Sequence, residues 1–289
     1  MAKAVAKKPA PTKSTAVATK PKNEVAESNV DMRLMMKQDA GKGVSTSAED
    51  NIIPLIYILQ AQSKQALRQK PEYIKGAAAG NIWPRGTTTL IDGEKGLPVI
   101  PCGMRKFWVE WKPDRGGFVG RHDYDEKLDD RGRPADAEQV EDPKTGNSVW
   151  VRENGNNLVE TREHAVLAFI SGRWQPSVIA MTGSNHTCSR AWNGDALNKR
   201  LDPPDDDFTP PAFAFVYSLK TIAKSNEKGD WYGWAYENGM GDGEKTPTLT
   251  LQNGVDLYRM ARTLFDAYMS GVKKAAELSD DVVDDTSNL

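Results

Sequence analysis

The chain has 289 residues, of which 38% are apolar, 27% are charged and 8% are aromatic, with a formal net charge of −2. That length supplies one large domain or two modest ones. No run of about 18 apolar residues occurs, which argues against a membrane span, and the first residues lack the continuous apolar stretch of a signal peptide. Two cysteines, Cys102 and Cys188, cannot make a disulfide framework and point to a reducing compartment.

The net charge hides an uneven layout. Residues 1–22 carry six lysines and no acid among Ala, Pro, Thr and Val. Such a segment cannot bury enough apolar surface to offset its ordering entropy, so residues 1–46 are expected to form a disordered basic arm. Residues 277–289 hold Glu277, Asp280, Asp281, Asp284 and Asp285 and no base, and are expected to form a disordered acidic tail. Either tail alone can be plain solvation. Together, an arm that attracts phosphates and a tail that docks on basic surfaces suit a protein handling nucleic acid beside other proteins.

The middle, 47–276, is expected to be one folded domain. Ile52–Gln60 is β-branched and apolar with Pro54 inside it, which favours a strand; Ser47 followed by Asp50 could instead cap a helix. Residues 76–98 are punctuated by Gly and Pro and predict short strands and turns. LPVIPCGMRKFWVEWKP then alternates, with Phe107, Val109 and Trp111 on one face and Lys106, Trp108 and Glu110 on the other. Residues 121–157 are rich in Asp, Asn, Gly and Pro and read as a long excursion with a small hairpin near Val149–Val151. Strands are expected at 164–170 and 177–182. Ser184–Leu201, with Cys188, Ala191, Trp192 and Leu197 at helical spacing, predicts a helix. PAFAFVYSLKTIAK and GDWYGWAYENG predict a strand pair, with Phe213, Phe215, Tyr217 and Leu219 as one core face. Leu257, Met260, Ala261, Leu264, Phe265 and Tyr268 predict one apolar face of a C-terminal helix. A mainly β (α+β) fold follows: an OB-like antiparallel barrel with a long inserted excursion, a helix between strands 3 and 4 and a C-terminal helix.

The chemistry of enzymes is thinly represented. Asp39–Thr46 carries Gly-Lys-Gly but neither the spacing nor the preceding strand of a phosphate loop. His186 and Cys188 are about 200° apart on a helix and cannot easily face one metal, so no metal or other cofactor is expected. The acids at 123–130 and 202–207 sit in turn-rich stretches where like charge means solvated loop, and three histidines nominate no triad. A non-enzymatic role is expected.

Aromatic groups beside bases are abundant. Arg105, Lys106 and Lys112 bracket Trp108 and Trp111; Arg173 precedes Trp174; Arg190 lies near Trp192. Tyr232, Trp234 and Tyr236 share a face opposite Trp231, with Lys220, Lys224 and Lys228 on the partner strand and turn. Cations that neutralise phosphates and rings that stack bases are what single-stranded DNA binding requires. The expected DNA-binding set is Arg105, Lys106, Trp108, Arg173, Trp174, Lys220, Trp231 and Trp234, with Trp108 facing solvent or a groove and Trp111 buried.

IPLIYILQAQS, EYIKGAAAGNIW, LPVIPCGMRKFWVEWKP with GGFVGRHD, and PPAFAFVYSLKTIAKSNEKGDWYGWAYENG resemble a group of bacteriophage early-region proteins, over roughly residues 50–270. The resemblance is to phage single-stranded DNA-binding proteins of OB fold used in replication and recombination. It implies a cytoplasmic location in the infected bacterial host, DNA contacts from the barrel face, and an acidic tail that recruits replication or recombination proteins, here through Asp280, Asp281, Asp284 and Asp285. The tail ends in Leu289, where such relatives often end in an aromatic. A homo-oligomer is compatible with this reading. The rival readings are a virion structural or assembly protein, a metal-dependent DNA-processing enzyme such as a nuclease, and a strand-annealing recombinase.

Overall fold

The computed structural model divides the chain into two units, Met1–Thr46 and Ser47–Leu289. It describes residues 32, 34 and 35 of the first, and residues 52–113, 117–123, 136–141, 148–201, 208–227, 229–239, 254–271 and 274–275 of the second. Apart from residues 32, 34 and 35, which are helical and exposed, the basic arm lies outside the described residues, as do the acidic tail and the acids at 124–130 and 202–207.

The second unit is mainly β, with a curled half-barrel sheet and two helices. Its strands are β1 (Ile52–Ile53), β2 (Leu55–Ile58), β3 (Ile82–Pro84), β4 (Leu97–Trp111), β5 (Phe118–Asp123), β6 (Ala137–Glu141), β7 (Ser148–Arg152), β8 (Asn157–Ile170), β9 (Arg173–Thr182), β10 (Tyr217–Asn226), β11 (Gly229–Asn238) and β12 (Lys274–Ala275). The helices are α1 (Asn185–Asn198) and α2 (Val255–Met269). The apolar run at 52–60 is therefore extended. Proline splits it into β1 and β2, because Pro54 has no N–H to give, while its carbonyl still accepts from Val178 (2.9 Å).

Among the described residues, ten strands join one sheet in the order β11-β10-β4-β8-β9-β2-β3, with β5 on β4 and the β6–β7 hairpin on β8. The long antiparallel pair β4–β8 is its spine. On its outer edge β4 meets β10 at residues 97–99 and β5 at 107–111, so one strand serves two neighbours in turn. A bulge between Pro101 and Gly103 accommodates the change. β8 and β9 are joined by Ser171–Gly172, both at positive φ (52° and 79°), the tight turn that matches strand twist. β2 lies parallel on β9. Among the described residues, the excursion at 121–157 holds the end of β5 and the β6–β7 hairpin, longer than the small hairpin expected.

Both faces of the sheet are covered. One packs Ile100, Cys102, Val109, Trp111, Ala165 and Leu167 beneath Ala261, Leu264 and Tyr268 of α2. The other packs Leu97, Val99, Val166, Ala168, Tyr217 and Trp234 against Trp192 and Ala196 of α1. Each helix is narrower in its burial than expected. Leu197 is 66% exposed, because it lies off the buried stripe of Ser189, Trp192 and Ala196, in which Ser189 is bonded to His164 at 2.8 Å. Met260 and Phe265 flank the α2 contact and stay open. Phe213 leaves its expected strand: residues 212–214 form a 3₁₀ turn, so its ring packs on Tyr258 and Phe265 of α2 while Phe215, Tyr217 and Leu219 are buried on the other face.

Candidate nucleic-acid interface

The β10–β11 hairpin projects from the sheet with Lys224 directly opposite Trp231. Ser184 stands at the N-terminal cap of α1, yet its side chain caps no helix N–H. Its hydroxyl accepts instead from Trp231 Nε1 (3.3 Å), and its carbonyl accepts from Lys224 Nζ (3.4 Å). The hairpin is thus tied to the start of α1. Burial lowers the Lys224 ammonium from its ordinary range. An open cleft of about 450 Å³ runs along this tip, between Gln60, Ala61 and Ala79 on one side and Lys224, Trp231 and Tyr232 on the other. The Tyr232 ring lies so close to Gly80 that a Cβ there would meet it at 2.7 Å, and Gly80 also sits at φ +87°.

A polar path continues from the cleft. His186, two residues after Ser184, donates to the Glu160 carbonyl of β8 (3.1 Å). Burial lowers the His186 imidazole, and Arg162 and Arg190 push it the same way against Glu160, so it is held neutral. The Glu160 carboxylate accepts from Arg162 (3.3 Å), and Arg162 faces Lys106 across the β4–β8 ladder. Lys224 stands at the hairpin, Arg190 lies one turn after His186 on α1, and Lys106 and Arg162 face each other on the sheet, Arg162 being buried at 8% exposure. Glu160 is the acid set among them.

The expected DNA-binding residues are divided by this geometry. Trp231 and Lys106 lie on the path. Trp108 does not face solvent: it is 4% exposed, because the sheet is covered on both faces and Trp150 of β7 lies edge-on over its ring at 6.4 Å. Trp234, also 4% exposed, is in the α1-side core, since the shared face of Tyr232, Trp234 and Tyr236 is the inner one. Trp111 is buried as expected. Arg105 lies on the α2 face, its guanidinium 5.2 Å from the Phe107 ring and 5.9 Å from that of Tyr268. Trp174 also packs on that face, against Phe169 (5.3 Å), and Arg173 is exposed beside the β8–β9 turn. Lys220 is paired with Glu237 (2.7 Å). Asp280, Asp281, Asp284 and Asp285 lie outside the described residues.

Sequence reasoning read Ser184 as a helix start and weighed His186 only as a metal ligand, and it did not single out Arg162 or Gln60; all four are brought together only by tertiary contacts. Lys224, Tyr232 and Arg190 carried a signal in their aromatic or basic neighbours.

Two buried carboxylates serve the scaffold. Glu163 is paired with Arg121 (2.9 Å) and accepts from Tyr268 of α2 (3.1 Å). Glu110 accepts from His122 and Arg152 (both 2.7 Å), Asn154 (3.1 Å) and Asn156 (2.6 Å). Burial alone would raise the Glu110 carboxyl, but these four donors outweigh it and bring it to about 2. Glu110 thereby locks the turn after β7 onto the spine. Among the described residues no group of three His, Cys, Asp or Glu could hold a metal ion, and no helix is long and apolar enough to cross a membrane.

Residues 4–274 match a family model described as Pam3 phage gp34-like protein. No curated protein and no solved structure matches the chain.

Proposed function

Since the chain belongs to the Pam3 phage gp34-like protein family and is a bacteriophage protein, we propose that it binds single-stranded DNA without sequence preference, in phage replication or recombination. The observation that carries this reading is the open cleft lined by Lys224, Trp231 and Tyr232, with exposed Arg190 of α1 and half-buried Lys106 of β4 as further cations beyond it. Cations spaced along a groove neutralise successive phosphates, and a ring at its edge stacks a base of any identity, at about 1–3 kcal/mol per base.

Topology supports the same reading. The strands β4, β8, β9, β10 and β11, with α1 between β9 and β10, have the order of an OB fold, in which the first strand pairs with both the second and the fourth. In OB proteins, oligonucleotides bind across strands 2 and 3 between the loops after strands 1 and 4. Those features correspond here to β8–β9, the 112–156 excursion and the β10–β11 hairpin, and the cleft lies at that hairpin, with Lys106 beyond it on β4. We take the fold to be an OB-type half-barrel in which β2 intervenes beside β9. The acidic tail, through Asp280, Asp281, Asp284 and Asp285, is proposed to recruit replication or recombination proteins in the host cytoplasm, and no catalytic step is assigned.

One observation favours a rival. Trp83, Trp108, Trp111, Trp192 and Trp234 are all buried, as in a virion structural protein whose aromatics are only core. Binding of a labelled oligothymidylate, read by anisotropy, separates the two. The DNA-binding reading expects saturable binding that weakens at least tenfold between about 50 and 200 mM salt, as counterion release requires. No binding, or binding indifferent to salt, overturns it.

A further inference from the structure

The outer edge of β11 carries backbone groups that β10 does not reach, and two side chains from elsewhere in the chain occupy them. Gln60 Nε2 donates to the Tyr232 carbonyl (2.9 Å), and Gln60 Oε1 accepts from the Tyr232 N–H (2.8 Å), across 172 residues of sequence. Two residues along the strand, Asn185 Oδ1 accepts from the Trp234 N–H (2.9 Å). A primary amide presents one donor and one acceptor side by side, as a peptide group in a neighbouring strand does, so Gln60 takes the place of a strand at that point. It is itself fixed, its own N–H bonded to the Ser63 hydroxyl (2.8 Å).

The consequence falls on the cleft. Holding Tyr232 by both its N–H and its carbonyl fixes the rotation of β11, and with it the direction in which Trp231 points. The Tyr232 ring then rests on Gly80, whose N–H bonds the carbonyl of Leu59, the residue before Gln60. Asn185 fixes the same strand relative to the start of α1, where His186 and the path toward Arg162 begin. Without these two amides, a ligand would have to order the hairpin as it bound, at a cost to affinity.

We propose that Gln60 is a positioning residue for single-stranded DNA, preorganising Trp231 and Lys224 by standing in for a missing strand on β11. The inference rests on the DNA-binding reading above. Two nearly isosteric substitutions test it, read by oligothymidylate anisotropy with urea unfolding and exchange of the Tyr232 amide measured alongside. Gln60→Met removes the pair without adding charge; it should release the Tyr232 amide and weaken binding about tenfold, with no recovery at any pH. Gln60→Glu sets a carboxylate against the Tyr232 carbonyl at pH 7.5 and should bind as weakly. At about pH 4, just below the ordinary glutamate value of about 4.3, its protonated form again offers an O–H donor and a carbonyl acceptor, so affinity should return toward wild type. Values are compared with wild type at each pH, because Lys224 and Asp230 line the same cleft. A merely structural glutamine would change the urea midpoint without this pH-dependent rescue. Gln60→Met binding as tightly as wild type, or a Gln60→Glu deficit equal at both pH values, overturns the inference and leaves the DNA-binding reading standing. A wild-type chain that binds no oligonucleotide overturns that reading and this inference together.

Discussion

Trp108 and Trp231 have the same local credentials and opposite situations. Each lies on a strand with a lysine for a neighbour, Lys106 two positions before Trp108 and Lys224 across the ladder from Trp231. Trp108 belongs to β4, which has strands on both sides, and it lies under Trp150 with 4% of its surface exposed. Trp231 belongs to β11, which among the described residues has a strand on one side only, and it lines an open cleft. A central strand covers Trp108, whereas the edge strand β11 divides its tryptophans by face, with Trp234 in the α1-side core and Trp231 at the cleft. The residues next to each ring do not mark this difference.

The sharpest way to break this comparison is to truncate both rings. Trp108→Ala removes a buried indole and should cost about 4 kcal/mol of stability in urea unfolding, while affinity per folded molecule stays near wild type. A loss of affinity with stability intact would make Trp108 a binding residue after all.

The buried Glu110 provides a second probe of the central region. Its carboxyl is held at about 2 in the folded protein against an ordinary 4.5, so it stabilises the fold fully above pH 4.5, and that contribution drains away as pH falls toward 2. Urea unfolding at about pH 5.5 and pH 2.5 should show wild type losing more stability than Glu110→Gln, which has no proton to gain. Equal losses would mean that the four donors around Glu110 contribute nothing to folding.

The smallest effect on stability is expected at the hairpin. Trp231→Ala should change the urea midpoint little and weaken oligonucleotide binding about tenfold, as the loss of one stacked base would. Lys224→Ala should weaken binding less and lower the slope of log affinity against log salt by about one phosphate contact.

Much of the fold was legible because local rules were obeyed. The β10–β11 pair, both helices and the strands around 164–182 follow from periodicity, whereas the division of 52–58 by Pro54 was not expected. Alternation failed on β4, where it assigned Trp108 to solvent. A strand covered on both faces has no wet side to mark, and buried Glu110 can share the Trp108 face because His122 of β5, Arg152 of β7 and Asn154 and Asn156 of the turn after β7 satisfy it. Ser184 was legible as the start of a helix but not as a tether, since its oxygen serves a hairpin 47 residues away. In the interface, Trp231 could be nominated from its neighbours. Gln60 could not, because a glutamine after a strand carries no mark of the edge it will meet 172 residues later.

Hydrogen exchange with and without a saturating oligothymidylate tests the central claim most directly, since it asks which backbone the ligand covers. The account predicts slower exchange over the start of α1 at 185–190 and the hairpin at 223–232, with the β4 segment 105–111 unchanged. Protection confined to the α2 face around Arg105 and Trp174, or none anywhere in the chain, would contradict it.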